Sequence, residues 1–155
     1  MAHVHEKIDF TVTVYVVYKN KVLLRHHDKY NFWLGVGGHI DLDEDPNEAA
    51  LREVKEEVGI DVALWDGNKK FQFAKGSDLH KELIPPVALN RHHTSQTHEH
   101  VDMVYFAKAS TDQVKVEYED DRSDEWKWLT KDELETMDLL PDVKFYAALA
   151  LDTLG

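Results

Sequence analysis

A single segment in the first half of the chain combines a strong helix signal with a dense cluster of acids, and it constrains the fold more than any other feature. Asp45 can cap a helix, Pro46 suits the first helical position, and Glu48 completes a capping box. No helix breaker follows until Gly59, which is a typical C-terminal stop. The sequence therefore predicts a helix over residues 47–58, anchored by an apolar stripe of Ala50, Leu51, Val54 and Val58.

Three acids of this helix occupy one face. Glu53, Glu56 and Glu57 stand at positions i, i+3 and i+4, where like charges repel and a helix gains nothing. Arg52 lies four residues before Glu56 and can neutralise one of them. The other carboxylates call for a hard cation with oxygen ligands, such as Mg²⁺ or Mn²⁺.

Two alternatives need no such cation site. The acids could form an exposed, solvated helix face, which is common in acidic proteins. The opening spacing of Asp41, Asp43 and Asp45 also suits an EF-hand calcium loop. That loop fails because Pro46 stands where it needs glycine and Arg52 stands where it needs a bidentate glutamate.

The segment from Gly38 to Ile60 resembles the Nudix box, G-x5-E-x7-R-E-U-x-E-E-x-G-U, in which U is an apolar residue. All nine specified positions match: Gly38, Glu44, Arg52, Glu53, Val54, Glu56, Glu57, Gly59 and Ile60. The resemblance implies an α+β fold, an α/β/α sandwich with a mixed β-sheet between helices. We expect one Nudix domain over residues 1–155.

The resemblance also implies an activity, the hydrolysis of a nucleoside diphosphate linked to a further group X. It assigns metal binding to Glu53, Glu56 and Glu57, with the Gly38 carbonyl as a neutral ligand and Mg²⁺, or Mn²⁺, as the cofactor. Arg52 would hold the glutamates in position, and Glu44 would orient the loop or a metal-bound water.

One carboxylate must take a proton from the attacking water, and the choice stays open among the glutamates and an acid from another loop. Glu119, Asp120 and Asp121 are candidates for that base or for an extra metal ligand, although a solvated turn is the simpler interpretation.

The remaining elements mix strands and helices without strict alternation, which favours a mixed sheet. The patterns predict a hairpin of residues 8–17 and 22–25, a glycine-rich strand at 33–40, and a second hairpin of 60–65 and 70–73 around Asp66-Gly67. Residues 85–96 look like a long loop. Strands follow at 101–107 and 114–118, an apolar stretch at 126–129, and helices at 131–137 and 142–154.

Ten histidines are many for 155 residues. His98, His100 and Asp102 alternate, so they share one face if their strand begins early. We expect them to contact substrate or phosphate, although two imidazoles and a carboxylate also suit a transition metal. Histidines that make hydrogen bonds on the surface or in the core are the simpler alternative. Among the aromatic side chains near the box, Trp33 and Phe32 are candidates to stack on a base, with core packing as the alternative.

Composition limits the partners. With 18 Lys and Arg against 30 Asp and Glu, the formal charge is −12, so binding to a nucleic acid duplex or an anionic membrane would be repelled. The absence of cysteine excludes disulfides and thiolate chemistry and suits a reducing compartment. With no signal pattern at the N-terminus, we expect a cytoplasmic protein, monomeric or homodimeric, acting on a small nucleotide.

The box indicates metal and pyrophosphate but does not identify X. A nucleoside triphosphate is the first expectation, with an oxidised purine as one option, because the chain is little longer than a minimal domain. A nucleoside-diphosphate sugar or ADP-ribose is the alternative substrate, since residues 66–96 are enough to form a larger pocket. A non-catalytic nucleotide-binding module is the alternative of another class.

Overall fold

The computed structural model describes residues 6–67, 69–73, 77–116 and 125–155. Within these residues the chain forms eight strands: β1 Ile8–Tyr18, β2 Lys21–His27, β3 Phe32–Leu34, β4 Val36–His39, β5 Val62–Leu64, β6 Ala88–His93, β7 Glu99–Ala109 and β8 Trp126–Leu129. Three helices accompany them: α1 Pro46–Val58, α2 Lys131–Thr136 and α3 Pro141–Leu154. None of the helices in the described ranges is both long enough and apolar enough to cross a membrane.

Strand β1 is the centre of one mixed sheet. It runs antiparallel to β2 and β4 and parallel to β7. Both β5 and β6 run antiparallel to β7, and β3 and β8 run antiparallel to β2. The predicted α+β class with a mixed sheet is confirmed.

Alternation along β1 builds a hydrophobic core on each face of the sheet. Val12, Val14 and Val16 pack with the apolar residues of α1 on one face. Tyr15 and Val17 pack on the opposite face with the apolar residues of α3. Helix α1 therefore covers only one face, and its position against β4 sets the geometry of the acidic cluster.

Local signals fix the ends of α1. The Asp45 carboxylate accepts the Glu48 N–H at 2.9 Å, and the Glu48 carboxylate accepts the Asp45 N–H at 2.9 Å, as the capping box predicts. Gly59 ends the helix in the left-handed region with φ of 69°. The apolar stripe differs at one position: Leu51 is exposed, and Ala49 is buried with Ala50, Val54 and Val58.

Three other predictions were wrong. Residues 60–73 do not form a hairpin, because β5 pairs with β7 and Lys69–Phe71 forms a short 3-10 helix. The predicted loop at 85–96 contains strand β6, whose backbone pairs with β7 although its side chains are mostly polar. Residues 114–116 form no strand, and the rest of that predicted strand lies outside the described residues.

Candidate active site

Arg52 joins most of the acidic cluster through its guanidinium group. Its Nε and Nη2 donate to the two carboxylate oxygens of Glu44 at 2.9 and 2.6 Å. Nη1 donates to Glu53 at 3.0 Å and to Glu56 at 3.2 Å, and Nη2 also donates to the His39 carbonyl oxygen at 3.0 Å. One planar cation thus fixes three glutamates and the end of β4.

The bonds to Glu44 explain its position in the loop before α1. Besides the two Arg52 donors, the Glu44 carboxylate accepts the N–H of Asp41 at 2.8 Å. The hydrogen bond from Arg52 is the largest influence that lowers the pKa of Glu44. Glu44 therefore stays ionised and holds the loop to the helix.

Glu53 lies between α1 and β4 with only 8% of its surface exposed. A Cβ atom placed on Gly38 would lie 2.6 Å from Glu53 Cδ, so the carboxylate occupies the space that a side chain would fill. Burial raises the pKa of Glu53, and the Arg52 charge opposes that shift. The ionised carboxylate is poorly solvated here, so a further positive charge bound beside it would stabilise it.

Glu57 has a different cationic partner. Arg25 on β2 forms an ion pair with it at 2.6 Å, and the Gly37 N–H donates to it at 3.3 Å. Burial nevertheless raises the pKa of Glu57 to about 7, with a contribution from the charge of Glu53. Sequence reasoning missed Arg25, although it is the basic residue that follows the apolar run of β2 and could have been singled out.

The charges of this cluster do not balance. Among the described side chains, Glu44, Glu53, Glu56 and Glu57 surround two arginines, Arg52 and Arg25, so two formal negative charges remain when all four glutamates are ionised. Carboxylate oxygens are hard ligands, and a divalent cation would supply the missing charge. The residues present therefore fit an Mg²⁺ or Mn²⁺ site.

We expect Gly38→Ala to displace the Glu53 carboxylate and to lower kcat by about 10²-fold, the scale of a misplacement near 1 Å. The fold should survive, because the obstructed group is the end of a flexible side chain. Gly37→Ala is the contrasting variant, since its Cβ would meet the backbone of Val12 and Thr13. Melting temperatures and kcat for both variants check this, and a fully active Gly38→Ala protein would contradict it.

The predicted histidine face does exist, and it lies on the other side of the sheet from α1. His98, His100 and Asp102 share that face with Asp9, Thr11 and Thr13 of β1 and His39 of β4. Asp102 is buried, and its carboxylate accepts hydrogen bonds from the hydroxyl groups of Thr11 at 2.8 Å and Thr13 at 3.0 Å. Sequence reasoning missed Asp9 and His39, although a charged residue inside the apolar β1 pattern was a usable signal.

His100 lies at the centre of this face. Its ring centroid is 4.9 Å from that of His39 and 5.6 Å from those of His92 and His98. Burial, followed by the charges of the neighbouring histidines, lowers the pKa of His100 to about 4. His100 is therefore neutral near pH 7.

The two aromatic candidates differ in their surroundings. Trp33 packs against His26 with centroids 5.1 Å apart, and the Lys127 ammonium lies 5.0 Å from its ring centroid. Phe32 is about half exposed. Their contact with a substrate base stays a prediction. The acids Glu119, Asp120 and Asp121 lie outside the described residues.

A mixed sheet carrying a helix whose clustered glutamates are held by arginine defines a candidate metal-dependent hydrolase site. The model of the NUDIX domain family matches residues 8–149. The chain belongs to the Nudix hydrolase family, which confirms the resemblance.

Comparisons with individual proteins agree with this family. A crystal structure of a Nudix-family hydrolase from Clostridium perfringens superposes with a TM-score of 0.84 and 34% identity, covering 95% of this chain and 98% of that chain. Dihydroneopterin triphosphate diphosphatase from Haemophilus influenzae is 40% identical over 68 residues, 40% of this chain and 43% of that protein. The Escherichia coli K12 protein of the same name is 35% identical over 89 residues, 54% of this chain and 59% of that protein. The alignments therefore span about half the length of these curated relatives.

Proposed function

We propose that this chain is a metal-dependent pyrophosphohydrolase that cleaves the pyrophosphate bond of a nucleoside diphosphate linked to a group X. The observation that carries the proposal is the cluster in which Arg52 holds Glu44, Glu53 and Glu56, with Glu53 packed against Gly38. A polyanionic substrate cannot approach such a cluster unless positive charge is added. The proposal therefore includes a divalent cation as cofactor.

The residues that would hold this cation are Glu53, Glu56 and Glu57, with the carbonyl oxygen of Gly38. When bound, a divalent ion neutralises phosphate oxygens and lowers the pKa of water. The chain's own contribution is positional: Arg52 orients Glu53 and Glu56, and Arg25 orients Glu57. Water attacks a phosphorus atom and gives its proton to a carboxylate, while the P–O bond to the leaving phosphate breaks.

For the substrate we propose a nucleoside triphosphate, hydrolysed with release of pyrophosphate, and an oxidised purine nucleotide is one member of that class to test. A specific observation favours a second candidate, dihydroneopterin triphosphate, because two relatives are named as diphosphatases of that compound. A purine nucleoside triphosphate and dihydroneopterin triphosphate both carry a triphosphate and a bicyclic nitrogen heterocycle. Trp33 and Phe32 are the proposed stacking residues for such a ring.

A substrate panel with Mg²⁺ tests the proposal. It should include the common and oxidised purine nucleoside triphosphates, dihydroneopterin triphosphate, a nucleoside-diphosphate sugar and ADP-ribose, with phosphate and pyrophosphate measured separately. Pyrophosphate release from a triphosphate supports the proposal. Preferred cleavage of ADP-ribose or the sugar nucleotide would contradict the proposed substrate but support the proposed type of reaction. Binding without turnover across the panel would indicate a non-catalytic module.

We expect chelation to abolish hydrolysis of any panel substrate and Mg²⁺ or Mn²⁺ to restore it. The reason is the excess of two negative charges in the glutamate cluster, which the arginines leave uncompensated. Activity is measured after exhaustive chelation and after adding back each ion, with K⁺ at matched ionic strength as the control. Full activity in the chelated protein would contradict a metal-dependent reaction.

A further inference from the structure

Asp9, His98 and His100 place three ligand atoms close together on the sheet face opposite α1. One atom from each residue lies within 4.8 Å of the other two. We propose that these three side chains form a second metal site, selective for a borderline divalent transition ion such as Zn²⁺, distinct from the glutamate cluster. This inference stands independently of the proposed hydrolase activity.

The fold brings these ligands together through one strand pairing. Strands β1 and β7 run parallel, and their register places Asp9 directly beside His100. His98 precedes β7 by one residue and returns to the same face, since side chains alternate along the strand. Asp9 and His100 therefore come from paired strands, and His98 comes from the residue immediately before β7.

The orientation of His98 is the strongest argument for a cation. Its Nδ1 lies 3.2 Å from the Glu6 carbonyl oxygen, which can only accept a hydrogen bond, so this contact favours the tautomer with the hydrogen on Nδ1. Its Nε2 faces the Asp9 carboxylate at 3.0 Å. In a neutral imidazole this nitrogen is a lone pair facing an anion, which is unfavourable unless a proton or a metal ion lies between them. A backbone carbonyl that fixes the second nitrogen is also the usual support of a metal-binding histidine.

The burial of Asp9 adds a second argument. Only 1% of its surface is exposed, and burying an ionised carboxylate is costly unless it is paired or bound to a metal. The His39 Nε2 atom lies 3.4 Å from the same Asp9 oxygen. His39 is outside the group of three close ligands, but a movement of its side chain toward them would give three imidazoles and one carboxylate, a set that suits tetrahedral Zn²⁺.

The spacing of the ligand atoms is compatible with one ion. Tetrahedral zinc bonds of about 2.1 Å place ligand atoms about 3.4 Å apart. The three atoms here lie within 4.8 Å of one another, so side-chain rotations of about 1 Å at the ligand atoms would bring them to one ion. A cavity of about 300 Å³ borders Asp9 and His39. Imidazole ligands select against Mg²⁺, which prefers oxygen, so the two proposed sites take different metals.

His39 connects the two sites. Its carbonyl oxygen accepts a hydrogen bond from Arg52, which holds the glutamate cluster, and its side chain lies beside Asp9 on the opposite face. An ion at the histidine site would therefore brace the end of β4, the strand that carries Gly38.

The test uses a full-length background in which the other metal sites are removed. Glu53, Glu56 and Glu57 are changed to glutamine to eliminate the first site. His3 and His5, which lie outside the described residues, are changed to glutamine so that they cannot bind the ion. Zn²⁺ is titrated by calorimetry, and Co²⁺ is used as a spectroscopic probe, since four-coordinate Co²⁺ with nitrogen ligands absorbs visible light far more strongly than the hexahydrated ion.

We expect this background to bind one equivalent of Zn²⁺ and to develop the Co²⁺ absorption. His98→Gln and Asp9→Asn should each weaken Zn²⁺ binding by at least about 10²-fold, since losing a ligand costs no less than losing its support. His93→Gln is the matched control, because that histidine is on β6 and strongly exposed, and it should leave binding unchanged.

The site would be overturned by a lack of Zn²⁺ binding in the background, or by equal binding by the His98→Gln and His93→Gln proteins. X-ray absorption of the zinc-loaded background identifies the atoms bound to the ion. This measurement needs no further variant, so it also serves if His98→Gln fails to fold. Two or three imidazole ligands support the site, and a shell of oxygen atoms alone refutes it.

Discussion

Glu53→Gln is expected to lower kcat by at least about 10²-fold while the protein stays folded, because it removes a charge that the metal-bound transition state uses. Burial already raises the pKa of Glu53, and the charges of Glu56 and Glu44 add to that shift. The metal-free variant should therefore melt no lower than the wild type. Glu56→Gln and Glu57→Gln should reduce kcat on a similar scale.

Glu48→Gln is the control for this helix. Glu48 belongs to the capping box and is exposed, so the change should cost at most about 1 kcal/mol of stability with little effect on kcat. Turnover and melting temperature are measured for each variant with and without Mg²⁺. If Glu48→Gln reduced turnover as much as Glu53→Gln while both proteins stayed folded, the assignment of the catalytic face would be wrong.

Helix α1 was predictable because its signals are local. The signals that begin and end the helix each involve only neighbouring residues. The structure shows all of them in the expected role: Asp45, Pro46, Glu48 and Gly59. The contact between Arg52 and Glu56 was also predictable, because they are four residues apart on one helix. A sequence pattern predicts which residues lie close together within one helix or strand.

The two errors around the middle of the chain have a tertiary cause. Asp66-Gly67 is a good hairpin signal, but β5 finds its partner in β7, more than forty residues later. Strand β6 pairs with the same β7 through backbone hydrogen bonds. Its side chains are mostly polar and exposed, so the sequence lacks the apolar alternation typical of a strand. Tertiary pairing overrode local propensity in both places.

The partners that complete the two sites come from distant parts of the sequence. Arg25 is 32 positions before Glu57, and Asp9 is 89 positions before His98. Alternation predicted that His98, His100 and Asp102 share a face, but only the β1–β7 register shows that Asp9 lies among them. The sequence therefore predicts the chemistry of individual side chains. Which side chains meet in each cluster is known only once the order and register of the strands are known.

Arg52→Lys is expected to produce an effect as large as the loss of one of the glutamates proposed to bind metal. A lysine ammonium keeps the charge but cannot reproduce the planar fork that reaches Glu44, Glu53 and Glu56 together. The glutamates would lose their fixed positions, and kcat should fall by about 10²-fold. Stability should fall by about 1–3 kcal/mol, because buried acceptors lose their donors. Steady-state kinetics and thermal unfolding measure the two effects.

Arg91→Lys is the matched control, since Arg91 is exposed and pairs with Glu99 on the neighbouring strand, so kcat should not change. Glu44→Gln extends the argument, because Glu44 receives two of the Arg52 hydrogen bonds. If Arg52 acts on the helix partly through Glu44, the double variant should lose less stability than the two single losses combined. Strict additivity, or an Arg52→Lys protein with wild-type kcat, would show that the glutamates are positioned without this arginine.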